Sequence, residues 1–176
     1  MEPHPEDRMV ADKTARTQRR TLRRRTDTAY HEAGHVVAIW LAGGEVASCW
    51  IGDDPNTGRT QRALTVRDAG APGGWRPAPF DPLVHPKDDR DWALDLMADC
   101  VDERRGVRYG AHVLEVADAA GADTVPRVLP LARALIETHW STIEAVAQSL
   151  LEAGGELYQD DLNALRVELG VVAPVR

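Results

Sequence analysis

His31-Glu32-Ala33-Gly34-His35 is the segment of this chain whose residue types and spacing specify a chemistry. At 3.6 residues per turn, side chains four apart leave one face of a helix about 6 Å apart along the axis, so both imidazoles reach a single metal ion. Glu32 lies about 100° around the helix from His31, beside the pair rather than in it. A carboxylate placed there takes a proton from a water on the metal and passes it to a leaving amine. Zinc suits such a pair, because it accepts imidazole nitrogen and carboxylate oxygen and keeps a fourth position open. The same pattern also arises by chance, and two histidines on a helix can be plain polar surface. Two features argue against that here. The residues that follow are apolar (Val36, Val37, Ile39, Trp40, Leu41), as on a core-facing helix. Gly34 sits inside the helix, where it costs about 1 kcal/mol relative to alanine, so close packing is expected around it.

The elements that must hold this motif can be read from periodicity. Thr26, Asp27 and Thr28 offer N-cap chemistry, and Ala29, Ala33, Val36, Val37, Trp40 and Leu41 recur at helical spacing until Gly43-Gly44. A β-like run, Val46 to Ile51, follows, and a second strand over about Thr60 to Val66 pairs with it through a turn at Asn56-Thr57-Gly58. Residues 68–90 are rich in proline and glycine and read as a loop or lid. Helices are expected over about Arg90–Glu103, Gly110–Ala120 and Thr124–His139. Another opens at the capping box Ser141-Thr142-Ile143-Glu144 and stops at Gly154-Gly155, and a last one spans about Asp160–Leu169. The fold class is therefore α+β and mainly helical: a zinc-site helix, a small hairpin or sheet, and a C-terminal helical bundle.

Composition sets the outer limits. The chain has 176 residues, 43% of them apolar, and a formal charge of −7, which predicts one ordinary domain with its own core. Two cysteines, Cys49 and Cys100, cannot make a disulfide framework or a Cys-rich zinc module. No apolar run approaches the 18–20 or so residues of a membrane span, so a soluble, cytoplasmic protein is the expectation. The charge is split: Lys13 to Arg25 holds seven basic residues and no acidic one, whereas Thr26 to Arg176 carries a net −11. Residues 1–25 thus read as a basic, flexible arm before an acidic body of residues 26–170, with 171–176 a short tail. Such an arm suits nucleic acid, an anionic membrane surface or the acidic body itself, and equally a solvated leader without a partner.

Thr28-Ala29-Tyr30-His31-Glu32-Ala33-Gly34-His35-Val36-Val37 resembles the zinc-site helix of the M41 peptidases, the proteolytic domain of the FtsH-type ATP-dependent membrane proteases. Similar features continue downstream. They are the Gly43-Gly44 turn, the strand Val46 to Ile51, the segment Gly58-Arg59-Thr60-Gln61, then Gly121-Ala122-Asp123 before Leu131-Ala132-Arg133. Ser149-Leu150-Leu151-Glu152 and the terminal helix complete the set. The resemblance implies that His31 and His35 are ligands of one zinc ion, that Glu32 is the general base, and that Asp123 is the third ligand. Asp123 also reads as a plain N-cap for the helix opening at Thr124, and His112, Glu115 and Asp118 are competing donors. Glu103 stands where the family has an acidic pair and is given no role.

The expected activity is ATP-independent hydrolysis of peptide bonds in peptides or flexible protein segments. FtsH-type proteases carry an ATPase and membrane helices, but these residues contain no G-x-x-x-x-G-K-[ST] and no hydrophobic span. Folded substrates would need a separate ATPase or regulatory partner. The strand Val46–Ile51 is expected to take an extended substrate by edge addition. Two other readings share the motif: a regulatory metallopeptidase of the repressor-cleaving type, and a degenerate M41-like module that keeps zinc only for structure and binding.

Overall fold

The site helix is the longest element of the molecule. In the computed structural model α1 runs from Pro5 to Leu41, so the basic arm is helical and continuous with the motif. The structure describes residues 5–52, 57–63, 87–107 and 110–172, with side chains from Lys13 onward. The helix does not start at Thr26, and the reason is local. The hydroxyls of Thr26 and Thr28 donate back to the carbonyls of Leu22 and Arg24, four residues earlier. That is the behaviour of threonine inside a helix, not at its cap. Two long-range contacts hold the junction to the body: Arg25 donates to the Gly154 carbonyl at 2.5 Å, and Arg105 pairs with Asp27 at 2.9 Å.

The remaining elements wrap the second half of α1. β1 (Val46–Ile51) and β2 (Gly58–Arg62) form the expected hairpin, with Cys49 opposite Thr60 and Ile51 opposite Gly58. A third strand, β3 (Glu156–Tyr158), pairs antiparallel with β1 and was not legible in a three-residue run. The sheet order is β2-β1-β3. β1 is therefore central, with both edges engaged, and cannot accept a substrate strand as expected; β2 and β3 hold the outer positions. The helix expected over Arg90–Glu103 is two, α2 (Asp89–Asp95) and α3 (Met97–Arg104), separated at Leu96. α4 (Ala111–Ala120) stands as read. The two helices expected between Thr124 and Gly154 are joined as α5 (Thr124–Glu152), kinked at His139. α6 (Gln159–Glu168) ends the described fold. Most of the proposed 68–90 lid lies outside the described residues, as do His4 and His85.

The core is built on α1. Ala29, Ala33, Val36, Val37 and Trp40 are fully buried, packed with Met97 and Val101 of α3, Ile136, Ile143 and Leu150 of α5, and Val46 and Cys49 of β1. These α1 positions are the helical stripe read from the sequence. Gly34 has the close neighbours expected of it: a Cβ there would lie 3.1 Å from the Cα of Ala98 and 3.2 Å from a methyl of Val101. Its missing side chain lets α3 pass close to the motif. Among the described residues, no helix is long and apolar enough to cross a membrane.

Candidate metal centre

His31, His35 and His112 converge. One ring nitrogen from each lies within 4.8 Å of the other two. His31 Nε2 and His35 Nε2 are 3.2 Å apart. Two imidazole nitrogens on one tetrahedral zinc, each about 2.0–2.1 Å from the ion, stand about 3.3 Å from each other. The His112 ring meets that of His35 edge-on at 4.8 Å between centroids and lies 5.7 Å from that of His31. Helical spacing produces the first pair, and the first turn of α4 delivers the third ring.

Carboxylates fix two of these rings from behind. Asp102, buried on α3, holds His31 Nδ1 at 2.8 Å. Accepting a hydrogen bond from Nδ1–H leaves the Nε2 lone pair directed at the cluster, the arrangement by which outer carboxylates orient metal-binding histidines. Glu115 approaches His112 Nδ1 at 3.2 Å in the same sense. Burial disfavours the charged form of His31. The Asp102 hydrogen bond and the negative charges of Asp102, Glu32 and Asp99 outweigh that, and its pKa is raised. His35 has no such partner among the described residues; burial, then the neighbouring His31 and His112, push its pKa down to about 3. Burial thus favours the neutral form of this imidazole. Three imidazoles, two of them aimed by carboxylates, form a donor set that could hold a metal ion.

One helix aligns both halves of the cluster. Asp99 and Asp102 are three apart on α3 and share a face. Asp102 reaches α1, and Asp99 Oδ2 accepts the backbone N–H of Val113 at 3.0 Å, capping α4 next to His112 from outside that helix. The second oxygen, Oδ1, is buried and has no hydrogen-bond partner among the described residues. We expect Asp102→Ala to weaken metal binding by about 10–100-fold, the usual effect of losing an orienting carboxylate. Competition with a chromophoric chelator measures it, and an unchanged affinity would remove Asp102 from the site.

Glu32 is 5% exposed and points towards β2. The Thr60 hydroxyl donates to its Oε2 at 2.7 Å. Burial raises the carboxyl pKa, opposed by the Thr60 hydrogen bond and by the charges of His31 and His112. A raised pKa makes the carboxylate a better base near neutrality. β2 crosses this carboxylate at a glycine because nothing larger fits. A Cβ on Gly58 would fall 2.6 Å from Glu32 Oε1 and 2.8 Å from Thr28 Cγ2.

The structure brings His31, Glu32 and His35 together as read from the sequence, and adds His112 from among the competing donors. It does not bring in Asp123. That residue is exposed in the turn before α5, where its side chain makes no capping hydrogen bond. Residues 121–123, which lead into α5, are exposed, while the cluster takes its third imidazole from the first turn of α4. Asp118 is exposed as well. Glu103 forms an exposed ion pair with Arg133 at 2.8 Å. The acid that supports the site is its neighbour Asp102, which sequence reasoning missed because nothing in the sequence says which face of α3 meets α1. Thr60 and Asp99 were missed for the same reason. Comparison with known proteins returned no matching family model, curated protein or solved structure.

Proposed function

We propose that this protein is a zinc-dependent metallopeptidase, M41-like in its site helix, acting on peptides or flexible protein segments. The observation that carries this reading is the convergence of three imidazoles, His31, His35 and His112, with the buried carboxylate of Glu32 next to His31 on the same helix. In this reading His31, His35 and His112 hold one zinc ion, with His112 in the role that the resemblance gives to Asp123. Bound zinc supplies a Lewis acid for the substrate carbonyl and acidifies water at neutral pH.

The protein's own groups do the rest. Asp102 keeps His31 in the tautomer that presents Nε2 to the cluster. Asp99 holds the start of α4, and with it His112, against α3. Thr60 fixes one oxygen of Glu32 and so the plane of the carboxylate. Glu32 accepts the proton released from the attacking water and returns it to the leaving amine. The motif serves peptide hydrolysis in particular, because amine expulsion needs this second proton transfer.

Metal content and cleavage test the proposal together. Purified metal-replete protein is expected to hold one zinc per chain by elemental analysis and to cleave casein or an unstructured peptide. A chelator should stop cleavage and added zinc restore it. Absence of stoichiometric metal, or cleavage indifferent to the chelator, would overturn the reading.

A further inference from the structure

The imidazole cluster opens onto a cavity of about 810 Å³, with His35 and His112 in its wall. Ala38, Ile39 and Ala42 of α1 line it on one side, and Val116 and Ala119 of α4 on the other. Small side chains one turn apart on facing helices leave room for an apolar group of the substrate. The charged groups around the cavity are mostly matched. Asp95 pairs with Lys87 at 2.5 Å, Glu115 with His112 at 3.2 Å, and Asp91 accepts the backbone N–H of Asp88.

Arg62 differs from these. It lines the same cavity, it is exposed, and its guanidinium makes no hydrogen bond or ion pair among the described residues. Its Nε rests against Gly44, 3.1 Å from where a Cβ would stand, so the bare backbone there gives the guanidinium a seat. Arg62 follows Thr60 by two residues on β2, which puts both side chains on one face of the strand, about 7 Å apart. Thr60 holds the base. An extended substrate lying along β2 advances about 3.3–3.6 Å per residue. From the bond attacked at Glu32, Arg62 is thus one or two residues away.

We infer that the cavity and Arg62 form a substrate subsite for an apolar side chain accompanied by a carboxylate, one or two residues from the scissile bond. A planar guanidinium matches a carboxylate with two parallel hydrogen bonds, which an uncharged amide does not reproduce. The carboxylate is supplied by the free C-terminus of a short peptide or by an aspartate or glutamate side chain. The inference builds on the peptidase reading, but its test does not need catalysis.

Binding to the metal-free full-length chain is measured by calorimetry with three blocked dipeptides. These are acetyl-Ala-Leu as the free acid, the same peptide as its amide, and acetyl-Leu-Glu amide. At least one carboxylate-bearing peptide should bind about 10-fold or more tighter than acetyl-Ala-Leu amide, and the identity of the tighter one names the source. Arg62→Ala should abolish the preference, and Arg62→Lys should keep part of it. A preference unchanged in Arg62→Ala, no preference in the wild type, or no binding of any of the three would overturn the subsite. Failure of the peptidase reading shows separately, as absent zinc or absent cleavage.

Discussion

Glu32→Gln is expected to keep its zinc and its fold while losing peptide cleavage by at least about 100-fold, the lower end of what a positioned general base contributes. The substitution preserves shape. A glutamine oxygen can still accept the Thr60 hydroxyl that now bonds Oε2 at 2.7 Å, so the side chain has a reason to stay where it is. It removes a carboxylate held at 5% exposure, and burying a neutral amide costs less than burying a charge. Thermal stability should therefore hold or rise slightly. His31, His35 and His112 are untouched, so elemental analysis should return the wild-type stoichiometry. What disappears is the group that, in the proposed peptidase, accepts and returns the proton. The loss should fall on kcat more than on KM, because the base acts in the transition state and not in binding. Equal cleavage by variant and wild type would rule out Glu32 as the base and leave the cluster a binding or structural feature.

The parts of this architecture that follow from local rules were legible before any coordinates. Period and caps located α4, α6 and the two halves of α5, and the apolar stripe from Ala29 to Leu41 predicted the buried face of α1. Helical spacing alone brings His31 and His35 onto one face, with their Nε2 atoms 3.2 Å apart. The arm shows where local rules mislead. Threonine and aspartate at residues 26–28 look like caps, yet Thr26 and Thr28 satisfy their hydroxyls within an unbroken helix. Tertiary partners were beyond reach for a plain physical reason. Asp99 and Asp102 matter because α3 crosses α1 at Gly34, a contact between segments more than sixty residues apart. Nothing in residues 97–104 distinguishes Asp102 from its neighbour Glu103 until that crossing is known.

The third ligand is where family resemblance and geometry part, and two substitutions decide between them. His112→Ala is expected to weaken zinc binding by more than about 100-fold, since losing a ligand should cost more than losing an orienting carboxylate. Asp123→Ala should leave zinc affinity unchanged and stability within about 0.5 kcal/mol of wild type, the usual range for an exposed position without a structural role. The asymmetry rests on placement. His112 Nδ1 is engaged by Glu115 at 3.2 Å, and its ring stands edge-on to His35 with 4.8 Å between centroids. Asp123 is exposed and makes no capping bond, so even the role of helix cap does not depend on its carboxylate. The two effects should be read as zinc affinity in competition with a chromophoric chelator, with thermal melting of the metal-free proteins as the control for folding. If His112→Ala melts like wild type without metal but no longer competes for zinc, the ligand is identified independently of any effect on the fold. The opposite pattern, zinc lost in Asp123→Ala and kept in His112→Ala, would restore the ligand set that the resemblance implies. It would also require the start of α5 to move onto the cluster when metal binds.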